Sequence, residues 1–189
     1  MDTFYSEKEL AELGIKKYGE DVKIGRHAIL YTPELLEIGD RVRIDDFVVI
    51  SGNVVLHNNI HLGHFCRLYG GKACIEMEDY TTMSSGCAIF TSSDDYSGHS
   101  MTNPTIPDQY KPGNIVGAVY LKKHVIVGCQ SVILPGVIIG EGTSVGSMTL
   151  CKDNLAPWGI YAGIPARRIG ERARDICMLE KEYSREVLK

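Results

Sequence analysis

The stretch Val125–Ser147 reads VIVGCQSVILPGVIIGEGTSVGS. In it Val127, Ile133, Ile139 and Val145 stand six residues apart. That period fits neither a helix, at about 3.6 residues per turn, nor the alternation of a half-exposed strand. Working outward, the same phase continues to Leu121 on one side and Cys151 on the other. It returns upstream as Ile38, Ile44, Ile50, Leu56, Leu62 and Leu68, and again as Met77, Met83 and Ile89. The residue after each aliphatic is often small or acidic (Gly39, Asp45, Ser51, Gly63, Ser84, Gly128, Gly140, Gly146). The fourth residue after it is again small or apolar, as at Val48, Cys66, Cys87, Ser131 and Thr143. An imperfect hexapeptide repeat, interrupted twice, therefore runs from Ile38 to Cys151.

Such a repeat predicts an all-β solenoid. Each hexapeptide supplies one short flat side and a corner, with the aliphatic residue inside and the small residue after it permitting the turn. Three sides close a triangular rung, and stacked rungs pair as parallel strands around one continuous core. The count predicts three ladders: Leu56, Met77, Leu121 and Ile139; Leu62, Met83, Val127 and Val145; Leu68, Ile89, Ile133 and Cys151.

The rest of the chain divides around this domain, taken as residues 21–155. Residues 1–20 hold a short helix, announced by a capping box at Ser6 and Glu9, with Tyr5 and Leu10 placed for a hydrophobic staple and Gly14 to end it. Three residues are inserted at Gly70-Gly71-Lys72, read as a corner bulge because the Walker spacing is absent. The larger break, Phe90 to Tyr120, is a long polar and aromatic excursion; insertions of this kind in solenoids map to one face, often the binding face. Residues 156–189 form a tail in which Pro157 and Pro165 preclude regular helix. From Glu171 on, Ala173, Ile176, Leu179, Tyr183 and Val187 share one face of a C-terminal helix, expected to cap the open end of the coil or to meet a neighbouring chain.

Bulk properties narrow the function. A net charge of −4 with no large basic patch disfavours nucleic-acid binding. No apolar run approaches membrane-spanning length, and the opening MDTFYSEKEL is polar and acidic, unlike a signal peptide. The six cysteines are scattered without a CxxC pair, which suits small core fillers in a reducing cytoplasm.

With these hexads, an excursion after a rung, and IYAGIPARRI at Ile160–Ile169, the chain resembles the left-handed β-helix acyltransferases over roughly residues 20–170. More narrowly it is similar to sugar O-acetyltransferases of the galactoside, maltose and capsule type, with the related xenobiotic and nucleotide-sugar N-acetyltransferases. The resemblance implies a left-handed coil, a homotrimer with active sites between subunits, and acetyl-CoA as co-substrate. It places the pantetheine arm against Gly128–Cys129 and Gly146–Ser147, and the CoA phosphates near Arg167, with Arg168 and Lys152 as neighbours. Lys152 departs from the family pattern, because Asp153 occupies the lysine's usual place.

The chemistry implied is transfer of an acetyl group to a hydroxyl or amine of a sugar, either a glycan precursor or a nucleotide-linked sugar. A hydroxyl nucleophile needs a base, ordinarily histidine, and a donor to hold the developing oxyanion. Family members carry a histidine at the start of the excursion; here Asp94 stands in that place and His99 follows five residues later. Two readings stay open. His99 serves as base, oriented by Asp94 or Asp95; or Asp94 alone faces the acceptor, which suits an amine better than a hydroxyl because a carboxylate of pKa about 4 is a weak base. Asp95 and Tyr96 beside it, with His64 and Tyr69 by rung position, are candidate acceptor-binding residues. The competing classes are a β-helix metalloenzyme of the carbonic-anhydrase type and a non-catalytic scaffold. His57, His61 and His64 occupy the second, sixth and third places of their hexads, predicting three different directions, so no metal is expected.

Overall fold

The computed structural model describes residues 3–187, the side chain of Val187 excepted. It is a parallel β-solenoid, and the predicted ladders are its registers. Ile38 pairs with Leu56, Leu56 with Met77, Met77 with Leu121 and Leu121 with Ile139. Ile24, Ile44, Leu62, Met83, Val127 and Val145 follow one another on the second side. Ile50, Leu68, Ile89, Ile133 and Cys151 stack on the third. These residues are at most 2% exposed and merge into one core along the axis. The pairing continues beyond residue 155, because Gly159–Ala162 extends the second side with Val145 opposite Tyr161.

The corners are built differently from the expectation. The left-handed residue of each turn is the third after the aliphatic, not the first, and it is seldom glycine. On one edge it is Phe47, Phe65, Gly86, Gln130 and Met148; on the next around the coil it is Arg41, Asn59, Tyr80, His124, Gly142 and Trp158. The small residue directly after the aliphatic serves close approach between rungs instead. A Cβ on Gly128 would lie 2.5 Å from the Ser147 nitrogen, and one on Gly39 2.7 Å from the His57 carbonyl oxygen.

The appendages follow the sequence with two differences. Helix α1 (Glu7–Glu12) carries the capping box: Ser6 Oγ accepts from the Glu9 N–H, Glu9 Oε2 accepts from the Ser6 N–H, and Gly14, at φ 72°, follows the Leu13 C-cap. The insertion at Gly70-Gly71-Lys72 is a register shift between strands Val49–Leu56 and Arg67–Met77. Helix α2 begins later than predicted, at Ile176, because Arg167–Glu171 is drawn into an antiparallel pair with Gly159–Ala162. Nor does α2 cap the coil's end. It lies along the edge formed by Asn59, Tyr80 and His124: Glu180 accepts from His124 Nε2 at 2.8 Å and pairs with Lys123, and Tyr183 donates to Asn59 Oδ1. No helix of the described residues is long and apolar enough to cross a membrane.

Candidate active site

One edge of the prism carries most of the predicted cofactor contacts, and its backbone is polarised by the core. Beneath it runs a buried column, Val48, Cys66, Cys87, Ser131 and Thr149. Cys66 Sγ donates to the Ser84 carbonyl at 3.1 Å, Cys87 Sγ to the Gly128 carbonyl at 3.1 Å, and Ser131 Oγ to the Gly146 carbonyl at 3.0 Å. Those three carbonyls therefore point inward. Because a trans peptide sets its N–H opposite its C=O, the N–H groups of Ser85, Cys129 and Ser147 point outward. None of the three donates to a described residue. They form a row with one donor per rung, roughly 4.8 Å apart. Beyond it, Gly146 bonds to the Tyr161 carbonyl, and Ala162 lies opposite Arg167, so the row leads to an exposed guanidinium. Gly128, Cys129, Gly146, Ser147 and Arg167 thus lie along one continuous track. Lys152 does not join it: it follows Cys151 on a different edge and pairs with Asp153 at 2.8 Å.

The buried cysteines are the core fillers expected, and all six are free. Cys66 and Cys87 are also donors that fix the track, a role composition does not reveal. Ser84 was legible only as one more small residue after an aliphatic. It sits half-buried on the track, beside the first outward N–H.

The excursion leaves the coil at Thr91, whose hydroxyl donates to the Tyr69 and Gly70 carbonyls, and forms a short hairpin in which Ser92 and Ser93 pair with Val116 and Ile115. It is a folded loop. Asp94, half-buried just past the hairpin, accepts from the Asn103 N–H through Oδ2 at 3.2 Å. Asp95 accepts from the Ser97 hydroxyl and N–H, which hold its carboxyl below the usual range against a smaller opposing effect of burial. Its other oxygen is enclosed with no donor among the described residues. Neither carboxylate bonds to His99, which is exposed and whose ring bonds to no described residue; of the two readings left open, the one in which Asp94 or Asp95 orients His99 has no such contact within the subunit. Tyr96 is 95% exposed.

His64 and Tyr69, the two candidate acceptor-binding residues of the rungs, stand on different edges of the prism. Tyr69 stacks on Phe90 at 5.2 Å, at the root of the excursion, whereas His64 lies on the track edge. The expectation of three diverging histidines is also corrected. His57 pairs with Glu76, but His61 and His64 converge on Asp45 Oδ2 at 2.9 and 3.4 Å. They meet because Asp45, 5% exposed, stands between two rungs as the one acidic residue of its column. Among the described residues no three His, Cys, Asp or Glu are grouped to hold a metal ion.

No protein-family model matches the chain. The dTDP-4-amino-4,6-dideoxy-D-glucose acyltransferase of Escherichia coli is 38% identical over 184 residues, 95% of this chain and 94% of that one. The solved structure of AntD, an N-acyltransferase from Bacillus cereus in complex with dTDP and 3-hydroxybutyryl-CoA, is 43% identical, covers all of both chains and superposes with a TM-score of 0.97. AntD has also been solved as variants at D94 and at S84, among them S84C with dTDP-4-amino-4,6-dideoxyglucose and Coenzyme A. A hexapeptide-repeat acetyltransferase from Vibrio cholerae, 17% identical with a TM-score of 0.60 over 89% of this chain and 79% of that one, shares the fold. The chain belongs to the left-handed β-helix sugar acyltransferases.

Proposed function

We propose that this enzyme transfers an acyl group from acyl-CoA to the amine of a dTDP-linked 4-amino-4,6-dideoxy sugar. The observation that carries the cofactor half is the row of outward N–H groups at Ser85, Cys129 and Ser147 leading to Arg167. The acceptor half draws on Asp94 in place of the family's histidine, and on the two relatives above, which match nearly end to end. This chain carries Asp94 and Ser84 at the numbers substituted in the AntD variants, over an alignment covering 98% of it.

The amine nitrogen attacks the thioester carbon. The carbonyl oxygen gains negative charge, which an outward N–H of the track stabilises. Asp94 takes a proton from the nitrogen, the C–S bond breaks, and the leaving thiolate of CoA is protonated. An amine that attacks as its free base becomes strongly acidic in the adduct, so a carboxylate is base enough to collect its proton. The role of His99 in this reading is peripheral. Lys152 is set aside as a CoA contact, and Asp95 serves to shape the loop.

Asp94 and Ser84 stand on different edges of the prism, separated by one side of six residues, or roughly 20 Å. We therefore read the enzyme as a homotrimer in which the excursion of one subunit meets the track of the next. Free cysteines and acyl-CoA dependence suit the cytoplasm. The test is thiol release from acetyl-CoA and 3-hydroxybutyryl-CoA in the presence of dTDP-4-amino-4,6-dideoxyglucose. Absence of both turnover and CoA binding would overturn the proposal; turnover only with hydroxyl sugars would overturn the amine assignment.

A further inference from the structure

The row of outward N–H groups ends at Ser85, and the next place below it in the same column is filled by His64. The column runs Asp46, His64, Ser85, Cys129 and Ser147, each the second residue after an inward aliphatic and one rung, about 4.8 Å, from the next. The other four side chains are small; directly below the last donor stands an imidazole. The His64 side chain is 49% exposed, and its Nδ1 lies 3.4 Å from Asp45 Oδ2. Its Nε2 bonds to no described residue.

Asp45 does not need that ring. Arg43 Nε donates to its Oδ1 at 2.7 Å and His61 Nε2 bonds to its Oδ2 at 2.9 Å, so both oxygens are satisfied without His64. Burial pulls the carboxyl up, but the bonds from His61 and Arg43 outweigh it, and Asp45 is an anion at neutral pH. The benefit therefore runs from Asp45 to His64. A buried carboxylate against Nδ1 fixes the ring with a proton on that nitrogen and leaves Nε2 for a group outside the coil. The charged and titratable groups facing the ring come from the rung below: Asp45, with His61 and Arg43 beyond it, and Asp46, which holds the His27 N–H and lies 3.2 Å from the His27 ring. The rung above brings Ser84, Ser85 and Gly86, none of them ionisable at neutral pH.

We propose that His64 is the catalytic acid that delivers a proton from Nε2 to the sulfur of CoA as the thioester breaks, with Asp45 as its positioning residue. The inference rests on the functional reading above and supplies the proton that reading leaves unassigned. With the CoA phosphates toward Arg167, the thiol end of the cofactor reaches the Ser85 end of the track, and the side chain next in line is His64. The C–N bond forms as the amine attacks, the C–S bond breaks with its electron pair going to sulfur, and sulfur takes the Nε2 proton. The amine's proton leaves on Asp94. His64 ends the step neutral, with its Nδ1 proton still toward Asp45. It regains a proton from water while Asp94 returns one, so the net products are the amide and the free thiol. In the homotrimer the excursion that carries Asp94 belongs to the neighbouring subunit, so base and acid come from different chains.

The test follows single-turnover acyl transfer from acetyl-CoA to dTDP-4-amino-4,6-dideoxyglucose between pH 6 and 9, on the full-length protein and on His64→Gln and Asp45→Asn. CoA and dTDP affinities are measured by titration calorimetry and the oligomeric state by light scattering. An acid must be protonated to act, so the wild-type rate falls as the pH rises. His64→Gln should lower the rate at neutral pH by about 10- to 100-fold, at or below the lower end for a general acid because a thiolate already leaves readily. It should also lose the alkaline fall, with both affinities within about threefold of wild type. Asp45→Asn should keep the fall and move it to lower pH. A rate within about threefold of wild type in His64→Gln overturns the proposal. So does a slower His64→Gln that keeps the wild-type pH profile, or a loss confined to dTDP affinity, which assigns the ring to acceptor binding. Dissociation of the His64→Gln oligomer makes the ring a subunit contact and likewise overturns it. A wild type that neither binds CoA nor turns over overturns the functional reading itself.

Discussion

The Cys87 thiol donates to the Gly128 carbonyl at 3.1 Å across two adjacent rungs. This contact converts a core residue into a determinant of the site, because the inward turn of that carbonyl aims the Cys129 N–H outward. Cys66 and Ser131 repeat the arrangement one rung to either side. Replacing Cys87 by valine keeps the volume and removes the donor, leaving a buried carbonyl unsatisfied at a cost of about 1–2 kcal/mol. Cys87→Val is expected to unfold at lower denaturant and to bind CoA several-fold more weakly, whereas Cys87→Ser keeps both near wild type. Equal CoA affinities for the two variants would show that the thiol only fills space.

Asp45 makes stability depend on pH. Burial pulls its carboxyl up, but hydrogen bonds from His61 and Arg43 outweigh it and hold the group below its ordinary value. A folded pKa below the unfolded one means that the contribution is complete above the unfolded value, near 4, and is lost as the pH falls through the folded one. Asp45→Asn should therefore cost about 2 kcal/mol at pH 7 and less and less below pH 4. Denaturation midpoints of the two proteins measured from pH 3 to 7 will converge on the acid side; parallel curves would remove Asp45 from the account.

Two glycines test the close-approach explanation of the repeat. Gly39→Ala puts a methyl 2.7 Å from the His57 carbonyl oxygen and 2.8 Å from its carbon, backbone that cannot yield without parting two rungs. Gly170→Ala meets nothing nearer than 3.7 Å, the tip of Ile160. The first should destabilise by about 2–3 kcal/mol and the second stay within about 0.5 kcal/mol. Thermal unfolding of the pair decides it, and comparable melting temperatures would mean that the glycines are tolerated for another reason.

The ladders were legible because one physical constraint, an aliphatic residue facing a narrow core, acts at every sixth position and nothing else satisfies it. The corner residues were not. Phe47, Asn59, Tyr80 and Gln130 share only a positive φ, a property that residue type signals weakly outside glycine. The start of α2 was misplaced because Arg167–Glu171 competes for strand pairing with Gly159–Ala162, and a helical stripe of apolar residues cannot register that competition. In the site, Gly128, Gly146 and Arg167 came through as motif positions. The outward turn of their neighbours' N–H groups depends on which way a carbonyl faces, and that was hidden inside cysteines whose spacing suggested only packing. The separation of Asp94 from Ser84 is likewise a matter of which corner each follows, visible once the hexads are wound into a prism.

The Asp94 carboxylate and the His99 imidazole now make opposite predictions. Asp94 is half-buried at the root of the excursion and fixed through Oδ2 by the Asn103 N–H, and in the proposed reaction its other oxygen would collect the proton of the attacking amine. His99 is exposed, with no described residue to set its tautomer or direction. Loss of a general base ordinarily costs a factor of about 100 to 10,000. Asp94→Asn preserves the size of the side chain and the Asn103 contact while removing the proposed base. It should lower kcat by at least about 100-fold, leave the affinity for CoA unchanged and not be rescued at higher pH. His99→Ala should stay within about threefold of wild type. Steady-state thiol release on the amino-sugar nucleotide separates the two, and a tenfold or greater fall in His99→Ala with Asp94→Asn near normal would return the base to the histidine.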